Sequence, residues 1–138
     1  MSLSSSIYIS FPGNAAEAFP YYHELFGGEL DLQTYGEADL DGLPFDPPPA
    51  AVAHAELRAE GIAISGGDAM GADTPPLRSD VYSFLLEMGT VEEGRRFIDR
   101  VTATGGQVAM PFEIAPWGDT YGQVVDRFGV KWAVVVPG

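Results

Sequence analysis

The sequence contains no cysteine, few basic residues and no long apolar run, and each absence excludes a class of protein. Without a thiol there is no disulfide, no cysteine nucleophile and no thiolate metal site. Seven basic residues against 20 acidic ones give a formal net charge of −13, which argues against nucleic acids and anionic membranes as partners because both attract basic surfaces. No apolar stretch approaches the roughly 20 residues of a transmembrane helix, and residues 1–6 lack the segments of a secretion signal. The sequence therefore predicts a cytoplasmic protein.

The 138 residues predict one domain whose two halves repeat a single plan. In each half a strand leads into a helix that ends at a pair of glycines, and three further strands follow. The fold class is therefore α+β, with two βαβββ modules at about residues 6–67 and 80–137. An acidic, proline-rich loop at residues 37–49 and a polar linker at residues 68–79 join the predicted elements.

Local signals predict how several of these elements begin. Asn14 with Glu17, and Thr90 with Glu93, have the spacing of a capping box and predict the starts of the two helices. Residues 81–88 predict the first strand of the second module. The turn between residues 126 and 129 contains either two or three loop residues, and the sequence does not decide which.

Alternation along the strands predicts which side chains face the helices. A two-residue turn at residues 60–61 places Leu57 opposite Ile64 and Glu56 opposite Ser65. The apolar pair then packs under the first helix, and Glu56 lies on the other face of the sheet together with His54. In the last strand, the same rule places Trp132, Val134 and Val136 against the second helix, and Lys131, Ala133 and Val135 on the other face.

Three segments together resemble the PhnB-like branch of the glyoxalase/bleomycin resistance protein/dioxygenase (vicinal oxygen chelate) superfamily. They are residues 11–19 (FPGNAAEAF), residues 54–57 (HAEL) and the aromatic-rich run of residues 116–132 (PWGDTYGQVVDRFGVKW). The resemblance extends from about Ile7 to Val136. It implies a cupped mixed sheet with helices on the outside, and a homodimer.

The resemblance also identifies the positions that bind a metal in metal-dependent members, where one His or Glu comes from each of four strands. The matching residues here are Ile7, Ser65, Ser83 and Ala133. Ile7 and Ser83 lie seven residues before the predicted helix caps, and Ser65 and Ala133 lie four residues after turn glycines. Two aliphatic side chains and two neutral hydroxyls do not form a site for a divalent ion. The sequence therefore predicts no metal and no cofactor.

Six residues are candidates for a catalytic or ligand-binding site. His54 and Glu56 are candidates for catalysis, with Glu56 as a general base and His54 as its partner or as a donor to substrate. The simpler interpretation is a structural His–Glu pair. The predicted ligand-binding residues are Glu56, Ser65, Trp117, Tyr121 and Gln123, because binding cavities favour aromatic walls with a few polar groups. For Trp117 and Tyr121, ordinary packing of the last hairpin is an equal alternative.

Three classes of function remain open. The first is a metal-independent protein that binds a small molecule, cationic or aromatic, since the acidic charge attracts cations. The second is a metal-dependent lyase, isomerase or dioxygenase with a non-standard site at His54 and Glu56. The third is a structural or regulatory dimer without an open pocket.

Overall fold

The computed structural model describes residues 2–38, 47–69 and 76–138, and the chain divides into two compact units, Met1–Pro75 and Pro76–Gly138. Parts of the predicted loop at residues 37–49 and of the linker at residues 68–79 therefore lie outside the described residues. The first unit comprises β1 (Ile7–Phe11), α1 (Ala15–Phe26), β2 (Glu29–Thr34), a short α2 (Tyr35–Ala38), β3 (Val52–Ala59) and β4 (Ile62–Asp68). The second comprises β5 (Phe84–Glu87), α3 (Val91–Ala103), β6 (Gln107–Ile114), β7 (Thr120–Val125) and β8 (Lys131–Val136).

The two units share one topology. Sheet A has the strand order β1-β4-β3-β2 and sheet B the order β5-β8-β7-β6. In each sheet the first strand runs parallel to its neighbour and the other pairs are antiparallel. The prediction of two βαβββ modules is confirmed, with α2 as a short addition to the first.

Each sheet buries one face beneath its helix. In the first unit the rings of Phe11 and Phe19 meet edge to face with their centroids 5.5 Å apart. Leu57 and Ile64 are fully buried, and they pair with each other as predicted. In the second unit Phe97 and Val101 of α3 are buried together with Trp132 and Val134 of β8. We call the opposite faces the helix-free faces of sheets A and B, because each is turned away from the long helix of its own unit.

The two helix starts differ from each other. The Thr90 hydroxyl accepts a hydrogen bond from the Glu93 amide at 3.1 Å, as the capping box predicts. Asn14 directly precedes α1 as predicted, but the predicted capping bond is absent, because its side chain bonds no helix amide and its backbone lies outside the extended conformation typical of an N-cap. The buried Asp68 carboxylate instead accepts from the Ala15 amide at 2.9 Å and from the Val52 amide at 2.8 Å.

The predicted strand at residues 81–88 is shortened at its start and begins at Phe84. The Ser79 hydroxyl accepts hydrogen bonds from the amides of Val81 and Tyr82 at 3.1 and 3.2 Å. These bonds form a local turn that competes with strand pairing. As a result, Ser83 lies just outside the strand.

Candidate functional site

The last hairpin closes through a three-residue loop. The Asp126 amide donates to the Val130 carbonyl at 2.9 Å, and the Gly129 amide donates to the Asp126 carbonyl at 3.0 Å. Gly129 has a φ of 99°, which is the left-handed conformation that ends such a loop. This geometry resolves the choice between two and three loop residues, and it fixes the register of β7 and β8.

Asp126 holds this hairpin together from inside. Its side chain is only 3% exposed. One carboxylate oxygen accepts from the amides of Phe128 and Val130 at 2.9 and 3.1 Å, and the other accepts from the Trp132 indole N–H at 2.9 Å. The carboxylate thus links the turn to the largest buried side chain of β8.

Register places five side chains together on the helix-free face of sheet B. Ala133 lies opposite Gln123 and Val135 opposite Tyr121 across β7 and β8. Leu85 of β5 is paired with Ala133 on the other side. This face therefore has a small floor at Ala133, an apolar edge at Leu85 and polar or aromatic groups on β7.

Aromatic and amide groups are in contact at one end of this face. The rings of Trp117 and Tyr121 meet in an edge-to-face arrangement with their centroids 6.4 Å apart. The Gln123 amide nitrogen donates to the Tyr121 hydroxyl at 2.9 Å. Trp117 is 68% exposed whereas Trp132 is fully buried. The three predicted ligand-binding residues of the second unit thus form one cluster with an exposed aromatic surface.

Lys131 and Asp80 form an ion pair at the other end of the same face. The ammonium donates to the Asp80 carboxylate at 3.0 Å. This hydrogen bond, with the charge of Lys131, lowers the pKa of Asp80. The Lys131 side chain is 11% exposed, whereas that of Asp80 is 81% exposed.

The helix-free face of sheet A is dominated by charge. His54, Glu56 and Arg58 alternate along β3, and Asp31 of β2 lies opposite Glu56. The Arg58 guanidinium donates to Glu56 and to Asp31, the latter at 3.3 Å, and the hydrogen bond that Glu56 accepts raises the pKa of Arg58. The His54 Nε2 lies 4.0 Å from the Glu56 carboxylate oxygen that does not contact Arg58, which is beyond hydrogen-bonding distance. Sequence reasoning gave no role to Arg58, although its i, i+2 spacing from Glu56 places both on one face.

The positions that match the superfamily's metal ligands do not form one set in this structure. Ile7 pairs in register with Ile64 and shares the helix side of β1 with the buried Phe11. Ser65 lies on the helix-free face, where its hydroxyl is 3.0 Å from that of Ser6. Ala133 offers a methyl group. Within residues 2–38, 47–69 and 76–138, no cluster of three or more His, Cys, Asp or Glu side chains is arranged to hold a metal ion.

The residues at and beside the matching positions therefore do not fit the divalent ion of metal-dependent members. Ser6 and Ser65 supply neutral hydroxyl groups, and Ala133 and Leu85 supply none. Such ions require imidazole or carboxylate ligands in these positions. In addition, none of the helices in the described part of the chain combines the length and apolar character needed to cross a bilayer.

Comparisons with a family model, a curated relative and solved structures agree with one another. Residues 8–134 match the model of the glyoxalase/bleomycin resistance protein/dioxygenase superfamily. The chain is 34% identical to protein YjdN of Escherichia coli K12 over 145 aligned positions, covering 95% of this chain and 93% of the relative. The crystal structure of protein PA1353 from Pseudomonas aeruginosa is 31% identical, with a TM-score of 0.80 over 99% of this chain and 98% of that one.

A PhnB protein from Bacillus cereus shares the fold at 22% identity, with a TM-score of 0.73 over 97% of this chain and 99% of that one. This likeness shows that the two chains share a fold. On the match to the family model and the similarity to YjdN, the chain belongs to the glyoxalase/bleomycin resistance protein/dioxygenase superfamily.

Proposed function

We propose that the protein binds a small aromatic molecule on the helix-free face of sheet B and does so without a metal ion. The observation that carries this proposal is the contact of the exposed Trp117 with Tyr121, which in turn binds Gln123 beside Ala133. An exposed indole offers a flat apolar surface, and the free hydrogen-bonding capacity of the Gln123 amide supplies polar recognition. Sites of this composition are typical of small-molecule binding.

The chemistry of the side chains around Ala133 supports metal independence. At Ala133, where metal-dependent members of the superfamily carry a ligand, the side chain is a methyl group. Its neighbours Gln123 and Leu85 supply only an amide and an alkyl chain. A bound molecule would therefore be held by stacking and hydrogen bonds.

The alternative site at His54 and Glu56 has less support. Arg58 already bonds Glu56, so metal binding or base catalysis by that carboxylate would first have to displace a charged partner. An open catalytic site needs about three protein ligands, and the described residues around His54 and Glu56 do not form a group of three His, Cys, Asp or Glu side chains that could hold an ion. The homodimer, the cytoplasmic location and the structural role without a pocket stay predictions.

Replacing Trp117 tests the binding proposal. We expect neutral biphenyl-4-methanol to quench the fluorescence of the exposed Trp117 in wild-type protein and to raise Tm. In the Trp117→Ala variant we expect binding, followed by calorimetry, to weaken about tenfold, because loss of an aromatic anchor costs more than 1 kcal/mol. Trp117→Phe should retain most of the affinity.

Val108→Ala is the matched control, since Val108 is also an exposed apolar residue but lies at the far end of β6. It should leave the affinity unchanged. Equal binding by wild type, Trp117→Ala and Val108→Ala would contradict the proposed site.

A further inference from the structure

The ion pair between Lys131 and Asp80 is asymmetric in its exposure. The Lys131 ammonium lies at the end of a largely buried side chain, whereas Asp80 is mostly in solvent. An exposed carboxylate contributes little binding energy because water and salt screen it. A ligand anion that reaches Lys131 could therefore replace Asp80 at small cost and form a hydrogen bond of the same charge-assisted kind.

Lys131 belongs to the same face as the aromatic cluster. It pairs with Val125, and Tyr121 pairs with Val135, four residues further along β8. At about 3.3 Å per residue, the two pairs lie about 13 Å apart along the strand. Ala133 lies midway between them with a small side chain. An elongated molecule with one end at Tyr121 and the other at Lys131 matches this length, and it would lie over Ala133, which is only 2% exposed.

Other charges on this face favour a single orientation of such a molecule. Glu87 lies beside Val135 and Glu113 opposite Tyr121, and both are exposed at the aromatic end. These carboxylates would repel a ligand anion there. Asp80 and Lys131 lie at the other end together with Arg78, whose guanidinium is 4.0 Å from the Asp80 carboxylate, so a departing Asp80 leaves cations there.

The negative charge of the chain is carried mainly by residues 1–75. Residues 1–75 contain 12 acidic residues and one basic residue, whereas residues 76–138 contain eight acidic and six basic ones. Long-range attraction of cations therefore originates mainly in the first unit. On the helix-free face of sheet B, Glu87 and Glu113 would favour a cationic group at the aromatic end, whereas Lys131 favours an anionic group at the other end.

We propose that Lys131 is the specificity-determining residue of this face and selects an elongated aromatic acid, whose carboxylate takes the place of Asp80 while its ring contacts Trp117 and Tyr121. This inference rests on the proposed function. It adds the charge of the ligand and the group that recognises it. The same chemistry would accept a sulfonate or a phosphate in place of the carboxylate.

Three rod-shaped probes of equal size test the selection: biphenyl-4-carboxylate, biphenyl-4-methanol and 4-phenylbenzylamine. We expect calorimetry to show the carboxylate binding about tenfold more tightly than the alcohol, and the amine binding most weakly, since a hydrogen bond to a charged group contributes roughly this factor. Lys131→Met keeps the length of the side chain and should remove the preference for the carboxylate while leaving binding of the alcohol.

Asp80→Asn tests the selection of a carboxylate by Lys131 without altering a buried side chain. Because it removes the competing carboxylate, it should tighten binding of biphenyl-4-carboxylate several-fold and leave the alcohol unchanged. Equal affinities for the three probes, or a preference for the amine, would overturn the inference and leave the proposed function intact. Failure of all three probes to bind would overturn both.

Discussion

Replacing Asp126 by alanine is expected to lower the free energy of unfolding by about 3 kcal/mol or more. The change leaves two backbone amides and the Trp132 indole N–H without their acceptor, and each buried unsatisfied donor costs about 1 to 3 kcal/mol. A loss of this size lowers Tm by about 10 °C in a chain of this length. Urea unfolding followed by Trp132 fluorescence, in a Trp117→Phe background, measures the effect at the affected residue.

Two further variants separate the hydrogen bonds from general effects of substitution. Asp126→Asn keeps one oxygen for the backbone amides but points an amide N–H₂ at the indole, so we expect an intermediate loss. Asp99→Ala removes an exposed carboxylate from α3 and should change stability by less than about 0.5 kcal/mol. If Asp126→Ala were as mild as Asp99→Ala, the buried carboxylate would not hold the hairpin.

Replacing Gly66 by alanine is expected to destabilise the first unit by about 3 kcal/mol or more. Gly66 lies in β4 between β1 and β3, where it pairs with Ile9 and Ala55. A Cβ at this position would overlap the Ile9 carbonyl oxygen, and it would also lie 3.0 Å from the Ile9 carbonyl carbon. Both atoms belong to the backbone, so relief requires β1 to move, and such overpacking is costly. Thermal unfolding and urea unfolding both report the loss.

Gly89→Ala is the matched control for this substitution. A Cβ at Gly89 would meet only the Glu93 carboxylate, at an ordinary 3.8 Å. We expect a change within about 0.5 kcal/mol. A loss at Gly66 no larger than at Gly89 would show that β1 and β4 do not approach as closely as the structure indicates.

Register and burial were predictable where a short turn fixed them. The two-residue turn at residues 60–61 gave the pairing of Leu57 with Ile64, and alternation placed Trp132 and Val134 beneath α3. These features depend on neighbours within a few residues, so local turn chemistry and the two-residue period of a strand are sufficient.

Features that depend on distant contacts were not predictable in the same way. The oxygen that accepts from the first amide of α1 belongs to Asp68 and not to Asn14. Asp68 lies 53 residues after Ala15 in the sequence. The shorter β5, in contrast, had a local signal in Ser79, which competes for the amides of Val81 and Tyr82.

The placement of Ile7 shows why counting along the chain did not identify one set of positions. Counting seven residues back from the helix caps reaches Ile7 in the first unit and Ser83 in the second. By sheet register, however, Ile7 pairs with Ile64, the residue just before Ser65. In the second unit Trp132 holds the same place just before Ala133, and it pairs with Phe84 and not with Ser83. The connection from strand to helix thus differs by one residue between the units, and a shift of one residue exchanges the two faces of a strand.

Binding of biphenyl-4-carboxylate before and after removal of metal ions tests the central claim most directly. Protein treated with a chelator and protein supplied with Ni²⁺, Zn²⁺, Mn²⁺ or Fe²⁺ are titrated with the probe, and the metal content of each sample is measured. The account predicts the same Kd within about twofold in every sample, because stacking on Trp117 and the charge of Lys131 supply the binding energy. Binding that disappears with the chelator and returns with one of the four ions would contradict it.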